Sequence, residues 1–494
     1  MDGLTGRVQA ARLQHCVFRE TVFPSIKDHF TYDNDDFDDE PNEEEASQRR
    51  KKTPHKIHNL RTRECLIVAV TDYSDDDLHD TTGVNRNMKS VPVNDPNELP
   101  HQKKSSNVKN TLSASNSPWR NPSFRQGELA RKPPIDKYAD VLKQQGFITT
   151  EEAPTVFFKL SKDGPCITSI YVDDTNAMGT PAAVDCTTQM LKNTFKMKDF
   201  GTVTACIGVQ IDHLNGGTFL HQTQMVDKIL NATNLVDIPT ETTPLKVKED
   251  EEAYTYIESY RSIIGMLSYL ANTTRPDISF SVNLLARFSN KPSNRHYEGI
   301  KHICAYLKGT RDYGLFFRRT TDTTVKVMGY SDAGYLSDSR TTKSQTGYVY
   351  TVNGTAFLWH SCKQPLNTTS SYEVELMAMY EACRELTWLM KFSNTMQDTL
   401  KEGILHKPIP MYMDNEAAFN NITQGYIRTR ANMHIQPKFY KTKEYITQGL
   451  MRLNHIPGDD NPADILTKTL PTLAHEKHVA KLGLISQKSL FEAS

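Results

Sequence analysis

Four acidic residues, each at the edge of a predicted strand or helix, restrict the last third of this chain to architectures that can gather them. They are Asp332 in Gly329-Tyr330-Ser331-Asp332-Ala333, Glu375 in Glu375-Leu376-Met377-Ala378, Asp414 in Met411-Tyr412-Met413-Asp414-Asn415 and Asp464 in Asn461-Pro462-Ala463-Asp464. The pattern of apolar residues predicts strands over 325–332, 347–352 and 356–361, with Asn353-Gly354 as the turn between the last two. A helix follows from 370 to about 392, opened by Ser370-Ser371-Tyr372-Glu373, which has capping-box spacing. Then come a strand over 410–413, helices over 415–422 and 437–447, a strand over 450–455, and a helix over 462–468 with Asn461 as N-cap and Pro462 in its first turn. The order is therefore strand-Asp, two strands, helix-Glu, strand-Asp, helix-Asp. Adjacent strands can bring the first and third carboxylates together, with the helix beside them. Four such carboxylates can hold two divalent ions roughly 4 Å apart, which stabilise the attacking and leaving oxygens of a phosphodiester. Magnesium suits them because it takes carboxylates, waters and phosphate oxygens together. Singly, each residue has a plainer reading: a turn or solvated side chain for Asp332 and Asp414, a helix surface for Glu375, and the positive end of a helix for Asp464.

The chain has 494 residues, enough for about three domains. Its net charge of −1 removes any global electrostatic case for nucleic acid, so a basic surface must be local. The 8 cysteines include no Cys-x-x-Cys pair, which argues against a zinc site and fits thiols in a reducing compartment. No run of 18 apolar residues exists and the N-terminus lacks a signal-peptide core, so neither membrane insertion nor secretion is expected. Near the N-terminus an apolar patch, Cys16-Val17-Phe18-Arg19-Glu20-Thr21-Val22-Phe23-Pro24, precedes acidic blocks over 33–40 and 43–45. The basic block Arg49-Arg50-Lys51-Lys52 reads as charged linker or as a nuclear-import signal. Apart from 65–70, residues 54–133 are rich in Asn, Ser, Asp and Pro and are expected to be mostly disordered.

Order is expected from about 134. The periodicity predicts a helix over 135–145 with Tyr138, Val141 and Leu142 on one face, extended segments within 153–179, and a helix over 184–195. Strands over 206–212 and 217–221 meet at Asn215-Gly216. Helices are predicted over 258–270, 279–288 and 296–308, the last ending before Gly309.

The text of the last third resembles ribonuclease H, more narrowly that of a copia-type retrotransposon Pol polyprotein. The matching pieces are Gly329 to Ala333, Lys343-Ser344-Gln345-Thr346-Gly347-Tyr348-Val349, Trp359 and Ser370 to Glu375. They continue through Asp414-Asn415, Arg428-Thr429-Arg430 and Ala463-Asp464-Ile465-Leu466-Thr467-Lys468. The resemblance implies that Asp332, Glu375, Asp414 and Asp464 are the catalytic metal ligands. Glu375 is preferred to Glu373 because Glu375-Leu376-Met377-Ala378 fits the family's helix start. The middle of the chain is similar to the same family's reverse transcriptase. Tyr171-Val172-Asp173-Asp174 resembles its polymerase signature, with Asp173 and Asp174 as metal ligands. It is followed in order by Phe195 to Gly201, Ile207 to Ile211, Tyr260 to Gly265, Thr274 to Ile278 and Tyr306 to Thr310. His15-Cys16-Val17-Phe18 to Phe23-Pro24 is similar to the tail of a copia-type integrase.

One departure matters. A polymerase of this family needs a third metal-binding Asp upstream, and a fingers region. Neither is found, the nearest candidate being Asp72 after Leu66-Ile67-Val68-Ala69-Val70. The text reads as if a segment were deleted near 134, so nucleotide addition is expected to be impaired.

The implied fold class is α+β / α/β multidomain. A partial reverse-transcriptase palm and thumb precedes a ribonuclease H-like mixed five-stranded sheet with flanking helices, and the N-terminal region is disordered. The expected divisions are 1–30, integrase-tail-like; 31–133, mostly disordered charged linker; 134–245, truncated palm and thumb; 246–322, helical connection; 323–472, ribonuclease H-like; and 473–494, tail. The implied activity is hydrolysis of RNA in RNA·DNA hybrids with Mg2+ or Mn2+, in an intracellular setting of cytoplasmic particle or nucleus. The alternatives are an intact, diverged RNA-directed DNA polymerase acting on template-primer, and an inactive nucleic-acid-binding relic. Arg428, Arg430, His434, Lys438, Lys441 and Lys443 cluster around one predicted helix, as phosphate contacts of a duplex or as a solvated charged face. His455 reads as structural rather than as a proton shuttle.

Overall fold

The computed structural model describes residues 7–9, 86–90, 135–171, 174–245, 257–319, 325–338, 341–401, 405–424 and 441–492. The expected integrase-like tail and charged linker lie outside these residues, as do Asp72 and the basic block. The exceptions are two short strands, β1 (Arg7–Gln9) and β2 (Arg86–Ser90).

Helix α1 (Ile135–Gln144) precedes a hairpin of β3 (Val156–Ser161), β4 (Gly164–Tyr171) and β5 (Asp174–Gly179), followed by α2 (Pro181–Thr194) and β6 (Met197–Asp199). The strand order is β3-β4-β5-β2-β6, with β1 also on β5, so Arg86–Ser90 fills the place between β5 and β6. Side chains alternate across a strand. Phe157, Cys166, Ile170 and Ala177 pack with Leu142, Val184 and Leu191 of the two helices. Their neighbours Phe158, Ile167 and Met178 join the core of the last third. Both faces are covered, which is why these strands read as unbroken apolar runs.

A second, antiparallel sheet holds β7 (Ala205–Cys206), β8 (Val209–Leu214) and β9 (Gly217–His221), the last two joined at Asn215-Gly216 as predicted. Next to β9 lies β10 (Tyr313–Arg318). Between β9 and β10 the chain forms α3 (Thr223–Ala232), α4 (Ile257–Thr273), α5 (Ser279–Ala286) and α6 (Asn294–Gly309). Their apolar faces make one cluster around Ile229, Leu267, Leu270, Ile300 and Leu307.

The last third forms a mixed five-stranded sheet, as expected. Strands β11 (Val327–Asp338), β12 (Lys343–Val352) and β13 (Thr355–Lys363) are antiparallel, while β14 (Ile409–Met413) runs parallel to β11 and β15 (Met451–His455) parallel to β14. Asn353 and Gly354 both have positive φ, at 49° and 86°, the conformation a tight hairpin turn requires. The parallel step from β13 to β14 needs a crossover. Helix α7 (Ser371–Leu400) supplies it, and runs beyond the predicted 392 because Met396 and Leu400 continue its buried face. Ser370 accepts from the Glu373 N–H at 3.3 Å, as predicted, but Glu373 reaches back to the Thr369 N–H at 2.7 Å rather than to Ser370.

Several boundaries differ from expectation. Strand β11 runs six residues beyond Asp332, through a bulge between Gly334 and Asp338. Of the helix predicted over 437–447, α9 (Thr442–Thr447) is described; it follows α8 (Glu416–Gln424). The helix predicted over 462–468 is a 3-10 turn, Pro462–Leu466. Residues 473–494 were expected as a tail. Instead α10 (Thr472–Lys481) buries His475, His478 and Val479, β16 (Leu484–Ser486) pairs with β10, and α11 (Gln487–Glu492) follows. The Leu482 and Leu484 side chains enter the core, which a solvated tail could not do. Among the described residues no helix is long and apolar enough to cross a membrane.

Candidate metal centre

Sheet register brings the first two carboxylates together. Gly329 and Tyr330 of β11 pair with Met411 and Tyr412 of β14, and the Tyr330 and Tyr412 rings stack at 5.1 Å. Two residues further along each chain stand Asp332 and Asp414, side by side. The third arrives on the Pro462–Leu466 turn. Asn461 caps that turn by accepting from the Ala463 N–H at 3.2 Å, and its amide donates to Ser331 O at 2.9 Å, tying the turn to β11. Gly347, opposite Asp332 in register, leaves the room: a Cβ there would stand 2.6 Å from Thr467 Cγ2 and 2.8 Å from Leu466 Cβ.

Asp332, Asp414 and Asp464 each offer an oxygen within 4.8 Å of the others, the one such group among the described residues. Glu375 reaches the edge of the cluster from the first turns of α7, its Oε1 accepting from the Ala333 N–H at 3.3 Å. It is 5% exposed; Asp332 is 2% and Asp464 6% exposed. Glu375 Oε2 and Asp464 Oδ1 are buried with no hydrogen-bond partner.

Electrostatics follow from that crowding. Burial and then the charge of Asp332 push Asp414 up to about 6 and Asp464 up to about 7. Glu375 is held well above its usual range by burial, then by Asp332 and Asp414. Burial works against the Lys468 cation, but Asp332, Asp464 and Asp414 outweigh it and raise its pKa. Buried carboxylate oxygens this close, partly unpaired, fit a hard divalent cation, which takes oxygen donors.

Two supports escaped the reading of the sequence, although both lie in Ala463-Asp464-Ile465-Leu466-Thr467-Lys468. The Thr467 hydroxyl donates to Asp332 Oδ2, and Lys468 Nζ pairs with Asp464 Oδ2 at 2.9 Å. The Asp464–Lys468 spacing of four was the available signal for the second. His455 Nε2 lies 3.0 Å from the Asp414 carbonyl, on an exposed side chain packed against Phe419.

Other expected site residues are placed less fully. Asp173 lies outside the described residues; Asp174 opens β5, buried, with Tyr171 and Lys89 as its register partners. Arg428, Arg430, His434 and Lys438 lie outside as well. Lys441 is exposed just ahead of α9, and Lys443 Nζ donates to the Thr423 carbonyl, joining α9 to the end of α8.

A family model described as reverse transcriptase (RNA-dependent DNA polymerase) matches residues 126–247. The chain is 29% identical over 350 residues to the retrovirus-related Pol polyprotein from transposon TNT 1-94 of Nicotiana tabacum, covering 68% of this chain and 26% of that one. It is 31% identical to the putative transposon Ty5-1 protein YCL074W of Saccharomyces cerevisiae, over 50% of this chain and 82% of that protein. Among solved structures, LC11-RNase H1, isolated from compost by a metagenomic approach, is similar with 20% identity and a TM-score of 0.20, covering 31% of this chain and 98% of that one. The chain spans about a quarter of the length of the Pol polyproteins it matches first.

Proposed function

The chain belongs to the Pol polyprotein family of copia-type transposons, and from that premise we propose that it hydrolyses the RNA strand of RNA·DNA hybrids at Asp332, Glu375, Asp414 and Asp464. The observation that carries this reading is the approach of oxygens of three aspartates, two buried and Asp414 half-buried, to within 4.8 Å of one another, with partner-less oxygens on Asp464 and Glu375. The three aspartates, with Glu375 at the edge, would hold magnesium or manganese, which would supply the positive charge that activates water and stabilises the leaving oxygen.

The protein's own part is to hold the carboxylates still. Thr467 fixes one oxygen of Asp332, the Ala333 amide fixes one of Glu375, and the sheet register fixes Asp414 beside Asp332. Lys468, about half exposed, neutralises Asp464 and can withdraw along its flexible stem when a cation arrives. Hybrid is to be told from DNA by the 2′-hydroxyls of its RNA strand. Arg428, Arg430, Lys438, Lys441 and Lys443 are proposed as its phosphate contacts. Template-primer extension is proposed to be impaired, since no Asp upstream of Asp173 and Asp174, Asp72 included, stands in text that fits the family's third metal ligand.

Cleavage of a labelled hybrid in Mg2+ tests this. Loss of one metal ligand removes several kcal/mol of charge stabilisation, so Asp332→Asn and Asp414→Asn should each cut at least about 100-fold more slowly. Equal cutting by both variants overturns the assignment. Primer extension abolished by Asp173→Asn would show instead a working polymerase. Salt-sensitive hybrid binding with no metal-dependent cutting would leave only a nucleic-acid-binding relic.

A further inference from the structure

A chain of buried hydrogen bonds runs from the helical unit across the mixed sheet to the turn that carries Asp464. It starts at Arg287, the C-cap of α5. The guanidinium, 6% exposed, pairs with Asp338 at 3.3 Å, and its Nη2 also donates to Asn283 Oδ1 at 3.3 Å. Nη2 further donates to Gln345 Oε1 on β12. Gln345 Nε2 donates to Asn283 Oδ1 at 3.2 Å and to Ser361 Oγ on β13 at 2.8 Å. The Ser361 hydroxyl then donates to the Leu466 carbonyl at 2.6 Å, two residues past Asp464. Gln345 is 0% and Ser361 8% exposed, so water cannot stand in for a missing link.

The chain has a direction, and Arg287 sets it. A guanidinium only donates. Gln345 must therefore turn its oxygen toward Arg287 and its amide nitrogen toward Ser361. Ser361 accepts that proton and has its own left to give, which goes to Leu466. Remove the guanidinium and the orientation of the Gln345 amide rests on Asn283 alone. Asn283 is itself an amide that has lost its own Arg287 donor and can flip with it. The donor that directs the Ser361 hydroxyl toward Leu466 is then held less firmly, and the tether on this side of the turn is weakened. The opposite side of the turn is held separately, by Asn461 to Ser331 and by Thr467 to Asp332.

We propose that Arg287 is a positioning residue for Asp464, so that the helical unit is part of the apparatus that sets the geometry of the carboxylate cluster. The inference rests on the metal-centre reading above. A three-carboxylate site is sensitive to small displacements of one member, and partners behind metal ligands change affinity about 10- to 100-fold when removed.

The test is Mn2+ binding to the full chain, followed by calorimetry and by the EPR signal of free Mn2+, with no turnover required. Arg287→Met and Ser361→Ala should each bind Mn2+ about tenfold more weakly than wild type, the low end of that range because both act through the turn. Arg287→Lys, which keeps the charge but not the fork, should fall between. Lys363→Met removes another partner of Asp338, 3.3 Å away, without touching the Gln345–Ser361 link, and should bind as wild type does. Wild-type affinity in both Arg287→Met and Ser361→Ala overturns the proposal, as does an equal loss in Lys363→Met. Should Arg287→Met not fold, Ser361→Ala decides alone. A wild-type chain that binds no Mn2+ sinks the metal-centre reading itself, and is told apart by that.

Discussion

Two of the places where charge is buried in this molecule treat it in opposite ways. Arg275 and Asp277 have side chains 1% and 0% exposed and meet at 2.7 Å. Asp277 also accepts from the Tyr306 hydroxyl at 2.7 Å, and two further guanidinium protons go to the Thr310 carbonyl and hydroxyl. Burial alone would lift Asp277, yet Arg275 brings it below the usual carboxylate range. In the cluster of Asp332, Asp414 and Asp464, burial and like charge act together, and Asp414 and Asp464 are driven upward. Lys468 opposes this with a single half-exposed ammonium. Burial by itself therefore does not distinguish a site from a strut. An excess of one sign, left with partner-less oxygens, does.

The contrast can be broken most sharply by deleting one charge from each place. Asp277→Asn strands the Arg275 cation in the interior and should cost about 3–5 kcal/mol, read from denaturant unfolding. Asp464→Asn in chelator should do the reverse, raising the unfolding midpoint by relieving repulsion. A loss of stability in both would dissolve the distinction.

A smaller effect sharpens it through pH. With Asp414 near 6 and Asp464 near 7 when folded, against about 4 unfolded, the folded chain binds more protons between those limits. Unfolding free energy must then fall as pH rises from about 4 to about 7, and the penalty is complete above that window. Thermal melts in chelator should show this decline, and Mg2+ should reverse it at the upper end. Melting temperatures flat across the window would contradict the charge crowding.

The smallest effect belongs to Lys468→Met. An ion pair with one exposed partner is worth under about 1 kcal/mol, so chelated stability should fall by no more than that. Because Lys468 competes with a bound cation, Mn2+ should bind more tightly, by at most about fivefold. Weaker Mn2+ binding would mean that Lys468 organises the carboxylates rather than competing for them.

What could be read beforehand was local or periodic. Asn353-Gly354 announced its turn because few other residues tolerate positive φ at both positions, and Ser370 announced the start of α7 through its capping chemistry. The aspartates were legible because each stands at the edge of a segment whose apolar pattern predicts a strand or a helix, although Asp332 lies within β11 and Asp464 within the Pro462–Leu466 turn. The structure gathers Asp332, Asp414 and Asp464 and leaves Glu375 at their edge, held by the Ala333 amide. The supports were not legible, since Thr467 meets Asp332 and Ser361 meets Leu466 across separations of 135 and 105 positions. No spacing rule reaches that far. The fold of 473–494 was missed for a related reason: Leu482 and Leu484 look like isolated apolar residues until the edge strand they cover is in place.

That edge strand has a temporal meaning. Strand β16 completes a sheet whose other members, β7 to β10, are made much earlier, and Ser486 bonds to Asp312 across 174 positions. While the chain is being synthesised, β10 must wait with one side open until the whole mixed-sheet unit has left the ribosome. The sheet's last edge is thus closed only by the far end of the chain, a non-local contact. A ribosome stalled anywhere in the last unit would leave an adhesive strand on display.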